Sequence, residues 1–210
     1  MELLTIPQFP ENSEKTIKTM ARTHEKSAKQ KYLIDLGESL VMHLCSFVLG
    51  EYKAAELVSI DLEQSFLNNS SAVSFGVYLG WLREASKFLN AQQCPSEIHA
   101  LLHGAHDFEE LSKFIKAFNA LKKEVEQESE EYEQAIATTL KNNLGKVNFL
   151  QFFDALIYLR NRIKHPNKEV KGKMVSWPFS EAYFDAINPY LEAALIKTIS
   201  ELNKIWEFRQ

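Results

Sequence analysis

An all-α fold, a helical bundle of about eight or nine helices, is what three features of this sequence predict. The 210 residues include only 7 glycines and 6 prolines, about half of the roughly 25 that average usage would supply. Apolar residues make up 45% of the chain and recur over long stretches at spacings of three and four. No segment alternates with period two for long enough to predict a strand. The length suffices to bury a real core as one domain, and no internal repeat or Gly/Ser linker divides it. The expected organisation is an extended N-terminal arm over residues 1–11, which holds Pro7 and Pro10, and a single helical domain over residues 12–210.

The elements follow in order. A first helix is expected from a cap at Asn12 to Glu51 or Ala54. Its opening half is basic and polar (Lys15, Lys18, Arg22, Lys26, Lys29, Lys31), while Leu33, Leu36, Leu40, Leu44, Phe47 and Val48 form an apolar stripe that belongs in the core. A short helix over residues 61–67 ends in the turn cluster Asn68-Asn69-Ser70-Ser71. In the next, over residues 74–90, Gly76 and Gly80 stand four apart beside Val77, Tyr78, Trp81 and Leu82. Two glycines on one face predict that another helix packs closely there. Cys94-Pro95-Ser96 opens a further helix, broken near Gly104, and Asp107 is placed to cap a long one with Phe108, Leu111, Phe114, Ile115, Phe118, Leu121 and Val125 inward.

Six glutamates then crowd residues 124–133. They read as a solvated helix end or hinge, with an acidic face that repels RNA or meets a basic partner as the alternative. Helices over residues 130–141 and 148–164 come next, then a basic loop, a helix opened by Pro178, and a last one capped by Asn188-Pro189 and ending near Phe208. Trp81, Trp177 and Trp206 all lie beside apolar stripes and read as core.

Other classes are disfavoured. The chain opens MELLTIPQFPENSEK, without the basic and apolar regions of a secretory signal. The most apolar stretch, residues 40–49, is interrupted by His43 and Ser46 and is too short to span a bilayer. Cys45 and Cys94 make no disulfide framework, so a reducing cytoplasm is the expected location.

One constellation carries chemistry. The helix NFLQFFDALIYLRNRIKHPN has Phe149, Phe153, Leu156 and Ile163 as its expected buried stripe, with Arg160 on the same stripe. A guanidinium is almost never buried unless it is paired, so Arg160 either reaches the rim or lines a crevice. His165 follows five residues on, 140° away around a continuous helix. Pro166 pushes His165 out of the helical region, and so leaves its ring free to turn back towards Arg160. Around the two, Arg160, Arg162, Lys164, Lys168, Lys171 and Lys173 stand against Glu169 alone, in a chain whose net charge is −4. Such a local basic patch reads as a footprint for phosphate.

Arg160-Asn161-Arg162-Ile163-Lys164-His165 resembles the Arg–polar–x3–His signature of the HEPN superfamily. The stretch SFGVYLGWLRE is similar to a segment of bacterial proteins that carry this motif. The resemblance implies a HEPN-like helical bundle and, as in many members, a metal-independent endoribonuclease of a bacterial toxin–antitoxin, abortive-infection or CRISPR-linked defence system. His165 would transfer the proton of the 2′-hydroxyl or of the leaving oxygen. Arg160 would clamp the phosphate, and Asn161 would orient one of them. Arg162, Lys164, Lys168, Lys171 and Lys173 would track the RNA. No cofactor or metal enters this scheme. The chemistry wants both an acid and a base, so one histidine per motif implies a homodimer with a shared cleft. An antitoxin or another defence protein is the further partner that the resemblance implies. Members that have lost activity serve as protein- or nucleotide-binding modules, and that is the alternative reading.

A competing cluster lies upstream. His99, His103 and His106 fall at i, i+4 and i+7 near Asp107 and Cys94, a ligand set suited to zinc on an unbroken helix. Gly104 interrupts that helix, and no zinc-hydrolase motif accompanies the cluster. Three histidines on a solvated face or pocket wall are the expected outcome.

Overall fold

The apolar stripe of the first helix organises the whole bundle. In the computed structural model, which describes residues 25–69, 73–170 and 172–207, this helix is α1, Lys26–Ala54. Leu33, Leu36, Leu40, Leu44, Phe47 and Val48 are all buried. Glu25 is extended (φ −79°, ψ 117°), so α1 begins at Lys26 and does not run on unbroken from an earlier cap. The arm and the expected cap at Asn12 lie outside the described residues. Then come α2, Ile60–Asn69; α3, Phe75–Ala91; α4, His99–His103; α5, Glu109–Glu126; α6, Tyr132–Leu140; α7, Phe149–Lys164; and α8, Glu181–Glu207. The predicted all-α bundle is what forms, with eight helices among the described residues.

Packing follows the stripes. α1 lies against α3, α8 and α7, while α5 packs on α8, α6 and α7. The aromatics of α5 and α7 meet in the interior, Phe114 edge-on to Phe152 with centroids 5.4 Å apart. α1 also contains an 18-residue window of mean hydropathy 1.5, wider than residues 40–49 and long and apolar enough to cross a bilayer by length and composition. Half of that window is buried against the other helices.

Several local expectations are corrected. Gly76 and Gly80 do not admit a neighbouring helix: a Cβ on Gly80 would meet nothing within 4 Å, and one on Gly76 only the Ser74 hydroxyl. The close approach is at Gly37, where a Cβ would stand 2.6 Å from Leu156 of α7. Asp107 does not cap α5, whose N-cap is Phe108; Asp107 pairs with Lys146 at 3.6 Å instead.

The basic loop is a short antiparallel hairpin, β1 Asn167–Val170 and β2 Lys173–Ser176, turned at Gly172 (φ +79°). Four residues per strand are too few for a period of two to register. The two expected C-terminal helices are one, with Pro189 inside α8. Asn188 does not cap: it is buried, donates to the Lys26 carbonyl at 3.0 Å and accepts from Gln30 at 3.1 Å. Lys26 in turn pairs with Glu181 and Asp185 at 2.6 Å. These ties to α1 carry α8 across the missing N–H of its proline. The acidic segment is the hinge between α5 and α6, with Glu128 at positive φ.

Candidate active site at the end of helix α7

α7 is defined by chemistry at both ends. Asn148 caps it, accepting from the Gln151 N–H at 2.9 Å, and the Gln151 side chain returns a bond to the Asn148 N–H at 2.9 Å. This capping box satisfies two orphan donors at once. Phe149, Phe152, Phe153, Leu156 and Leu159 are buried along its length. At the other end Pro166 pushes its predecessor out of the helix, and His165 is the C-cap at φ −133°, ψ 75°. The His165 N–H still donates to the Asn161 carbonyl at 2.8 Å, while its side chain is exposed.

Arg160 is paired. Its Nε donates to Glu38 Oε2 at 2.9 Å and its Nη2 to Oε1 at 3.0 Å, a two-pronged bond from α7 to α1. The side chains of Arg160 and Glu38 keep 19% and 24% of their exposure, so the pair sits at the rim of the α1–α7 seam. The guanidinium also stands 6.0 Å from the Phe75 ring. Glu38 is the residue that sequence reasoning missed. Two signals pointed to it: a carboxylate within the apolar half of α1, and an arginine on an apolar face that requires a partner.

The other predicted contacts divide. Asn161 and Lys164 are exposed. Arg162 is not on the open patch: it is 8% exposed, with its guanidinium 5.1 Å from the Tyr158 ring. Tyr158, four residues earlier, packs edge-on against Trp177 just beyond β2 (5.7 Å), so this edge of α7 is covered and Arg162 lies under the cover. Ile163, expected in the buried stripe, is 37% exposed. Burial raises the Tyr158 pKa, with Arg162 opposing and Glu126 assisting. Lys168 and Lys173 belong to the two hairpin strands, opposite Val175 and Val170 respectively; Lys171 lies outside the described residues. Among the described residues, no hydrogen bond joins the side chains of Arg160 and His165.

The upstream histidines are held separately. His99 Nδ1 is 3.1 Å from the Ser86 carbonyl, His103 Nε2 is 2.8 Å from the Ser86 hydroxyl, and His106 Nε2 is 2.9 Å from the Ala100 carbonyl. His99 and His103 stack at 4.6 Å, and His106 stacks on Phe108 at 4.7 Å. Burial first, then the charges of His99, Lys87 and Arg83, lower the His103 pKa. Among the described residues, no three His, Cys, Asp or Glu side chains converge as a metal site.

Comparison of this chain with protein-family models, with curated proteins and with solved structures finds no match.

Proposed function

We propose that the chain is a metal-independent endoribonuclease, acting as a homodimer, with its chemistry at the C-terminal end of α7. The observation that carries this reading is an anchored guanidinium and, five residues on at the end of the same helix, an unfastened imidazole. A guanidinium has five N–H donors. Glu38 takes two from Arg160, which leaves three to receive a phosphate without the cost of ordering the side chain. His165 is exposed one turn on, outside the helix, with a ring whose ordinary pKa suits proton transfer near neutrality. Exposed Asn161 and Lys164 flank it, and the hairpin whose strands include Lys168 and Lys173 follows.

The step balances without a metal. His165 takes the proton of a 2′-hydroxyl, whose oxygen bonds to the adjacent phosphorus. The P–O5′ bond breaks, and the departing oxygen takes a proton from the partner's His165. Arg160 stabilises the added charge on the phosphoryl oxygens. The products are a 2′,3′-cyclic phosphate and a 5′-hydroxyl. The motif's resemblance favours a role in bacterial stress or defence, with an antitoxin or similar protein to restrain it, and the two free cysteines favour the cytoplasm.

The Arg160–Glu38 bond also favours a second reading. A guanidinium satisfied within its own chain serves the fold, and a silent HEPN-like module that binds a protein or nucleotide needs nothing more of it. Incubation of end-labelled single-stranded RNA with the full chain, with and without EDTA, separates the two. The nuclease reading expects chelator-resistant cleavage, cyclic-phosphate ends, and loss of cleavage in His165→Ala. Cleavage that survives His165→Ala or stops with EDTA overturns it, and a folded dimer that cleaves no RNA leaves the module.

A further inference from the structure

A cavity of about 470 Å³ opens at the same seam, lined by Glu25 just before α1, Lys31 of α1, Ile163 of α7, Phe179 just before α8 and Phe184 in its first turn, within the range of small-ligand pockets, about 300–1,000 Å³. Its position follows from the helix periods. Ile163 lies three residues beyond Arg160 on the same face of α7, and Lys31 lies seven residues, two turns, before Glu38 on the same face of α1. The two helices therefore run antiparallel from the Arg160–Glu38 bond into this cavity, whose walls lie about 5 Å along α7 (Ile163) and about 10 Å along α1 (Lys31) from that bond.

Its walls are partly apolar. Phe179 is 41% exposed and Ile163 37%. The Phe179 ring is braced from behind, edge-on to Tyr183 at 5.9 Å and stacked on Phe184 at 6.3 Å. Lys31 is exposed at the mouth, and among the described residues no carboxylate pairs with it. An exposed aromatic face, an aliphatic wall, one lysine and one carboxylate (Glu25), beside a proposed phosphate clamp, fit a flat ring with hydrogen-bond donors on its edge, attached to an anion that Lys31 meets.

We propose that this cavity is the nucleobase subsite of the enzyme: one base of a single-stranded RNA stacks on Phe179 against Ile163, and Lys31 meets a phosphate of the same strand. The inference rests on the ribonuclease reading for its substrate, and its test does not. Base–aromatic stacking spans roughly 5- to 150-fold in affinity per base. Binding of a fluorescein-labelled RNA decamer is measured against the same strand with abasic residues, on the full chain at one salt concentration.

Wild type is expected to bind the base-bearing strand at least 5-fold tighter than the abasic strand. Phe179→Ala should erase that preference, and Phe179→Tyr should restore it. Ile163→Ser should reduce it, and Lys31→Ala should weaken both strands alike. A preference that persists in a folded Phe179→Ala, or no preference in wild type, overturns the subsite. So does a Phe179→Ala that changes the oligomeric state instead, since the cavity would then hold a second copy. Wild-type cleavage with an unaffected Phe179→Ala removes the subsite and keeps the nuclease. A Phe179-dependent preference without cleavage keeps the subsite and removes the nuclease.

Discussion

Two regions of this molecule carry histidines, and they are built in opposite ways. Around α4, each of His99, His103 and His106 has a ring nitrogen within 3.1 Å of its own oxygen partner, and each is stacked on another ring. At the end of α7, His165 is fixed only through its backbone N–H, and its side chain stands in solvent. Number and spacing made the first region the competing candidate for a chemical site. Partner accounting favours the second, because each α4 imidazole already commits one ring nitrogen and one face to the protein, while the His165 ring commits neither.

The sharpest way to break this contrast is to remove one histidine from each region. His165→Ala should lower RNA cleavage by roughly 10²- to 10⁴-fold, the usual worth of a positioned proton-transfer group, with a melting temperature close to wild type. His103→Ala should leave the rate within a few-fold and lower the melting temperature. Gel-resolved cleavage alongside thermal melts reads both. A reversal of the two effects would move the chemistry to α4.

The next effect tests what holds Arg160. Glu38→Gln keeps the shape but withdraws the charge, leaving a guanidinium at the rim with a weaker acceptor. Hydrogen bonds to charged groups contribute about 1.5–3 kcal/mol. Both side chains retain about a fifth of their exposure, so a loss near the lower end is expected in urea unfolding. On the nuclease reading cleavage also falls, because Arg160 is no longer held in place. Lost stability with unchanged cleavage would make the pair purely structural.

What could be read in advance, and what could not, follows the range of the interactions. Caps are local, so Ser74 and Asn148 marked the starts of α3 and α7, and Pro166 marked the end of α7. Glu38 and Arg160 are 122 residues apart, and only the need of an arginine for a partner hinted at the bond. Gly37 looked like any glycine in a helix, while the Gly76/Gly80 spacing looked like a contact; which one touches Leu156 was decided by tertiary packing. Pro189 read as a break because the partners that bridge it, Gln30 and the Lys26 carbonyl for buried Asn188 and the Lys26 ammonium for Asp185, come from α1. The exposure of Arg162 and Ile163 was exchanged for a similar reason: Trp177, from beyond the hairpin, covers one edge of the last turn of α7.

A smaller effect sharpens the contrast within the α4 region itself. Ser86 is fully buried, and its hydroxyl is 2.8 Å from His103 and 3.1 Å from the Arg83 carbonyl. His103→Ala removes one of these bonds and leaves the other, so a cost of about 1 kcal/mol is expected in urea unfolding. His106→Ala removes a bond to a carbonyl and the stack on Phe108, and a similar or smaller loss is expected. Neither change should alter RNA binding. A change in RNA affinity would show that the α4 histidines reach the substrate.

The smallest effect is one of pH. Burial, and then the positive fields of His99, Lys87 and Arg83, lower the His103 pKa below its ordinary 6.5, with Glu84 opposing. The folded state therefore binds fewer protons than the unfolded state between the two values. Stability from this group is fully present above about pH 6.5 and is lost as pH falls towards the folded-state value. Lys197 and Lys204 hold the Glu201 carboxyl below its ordinary range, so it stays ionised across that window and adds no slope. Urea midpoints measured from pH 7.5 down to 5.5 should decline for wild type and decline less for His103→Gln. If His103→Gln declined as steeply as wild type, the slope would come from another group and the fastened imidazole would carry none of it.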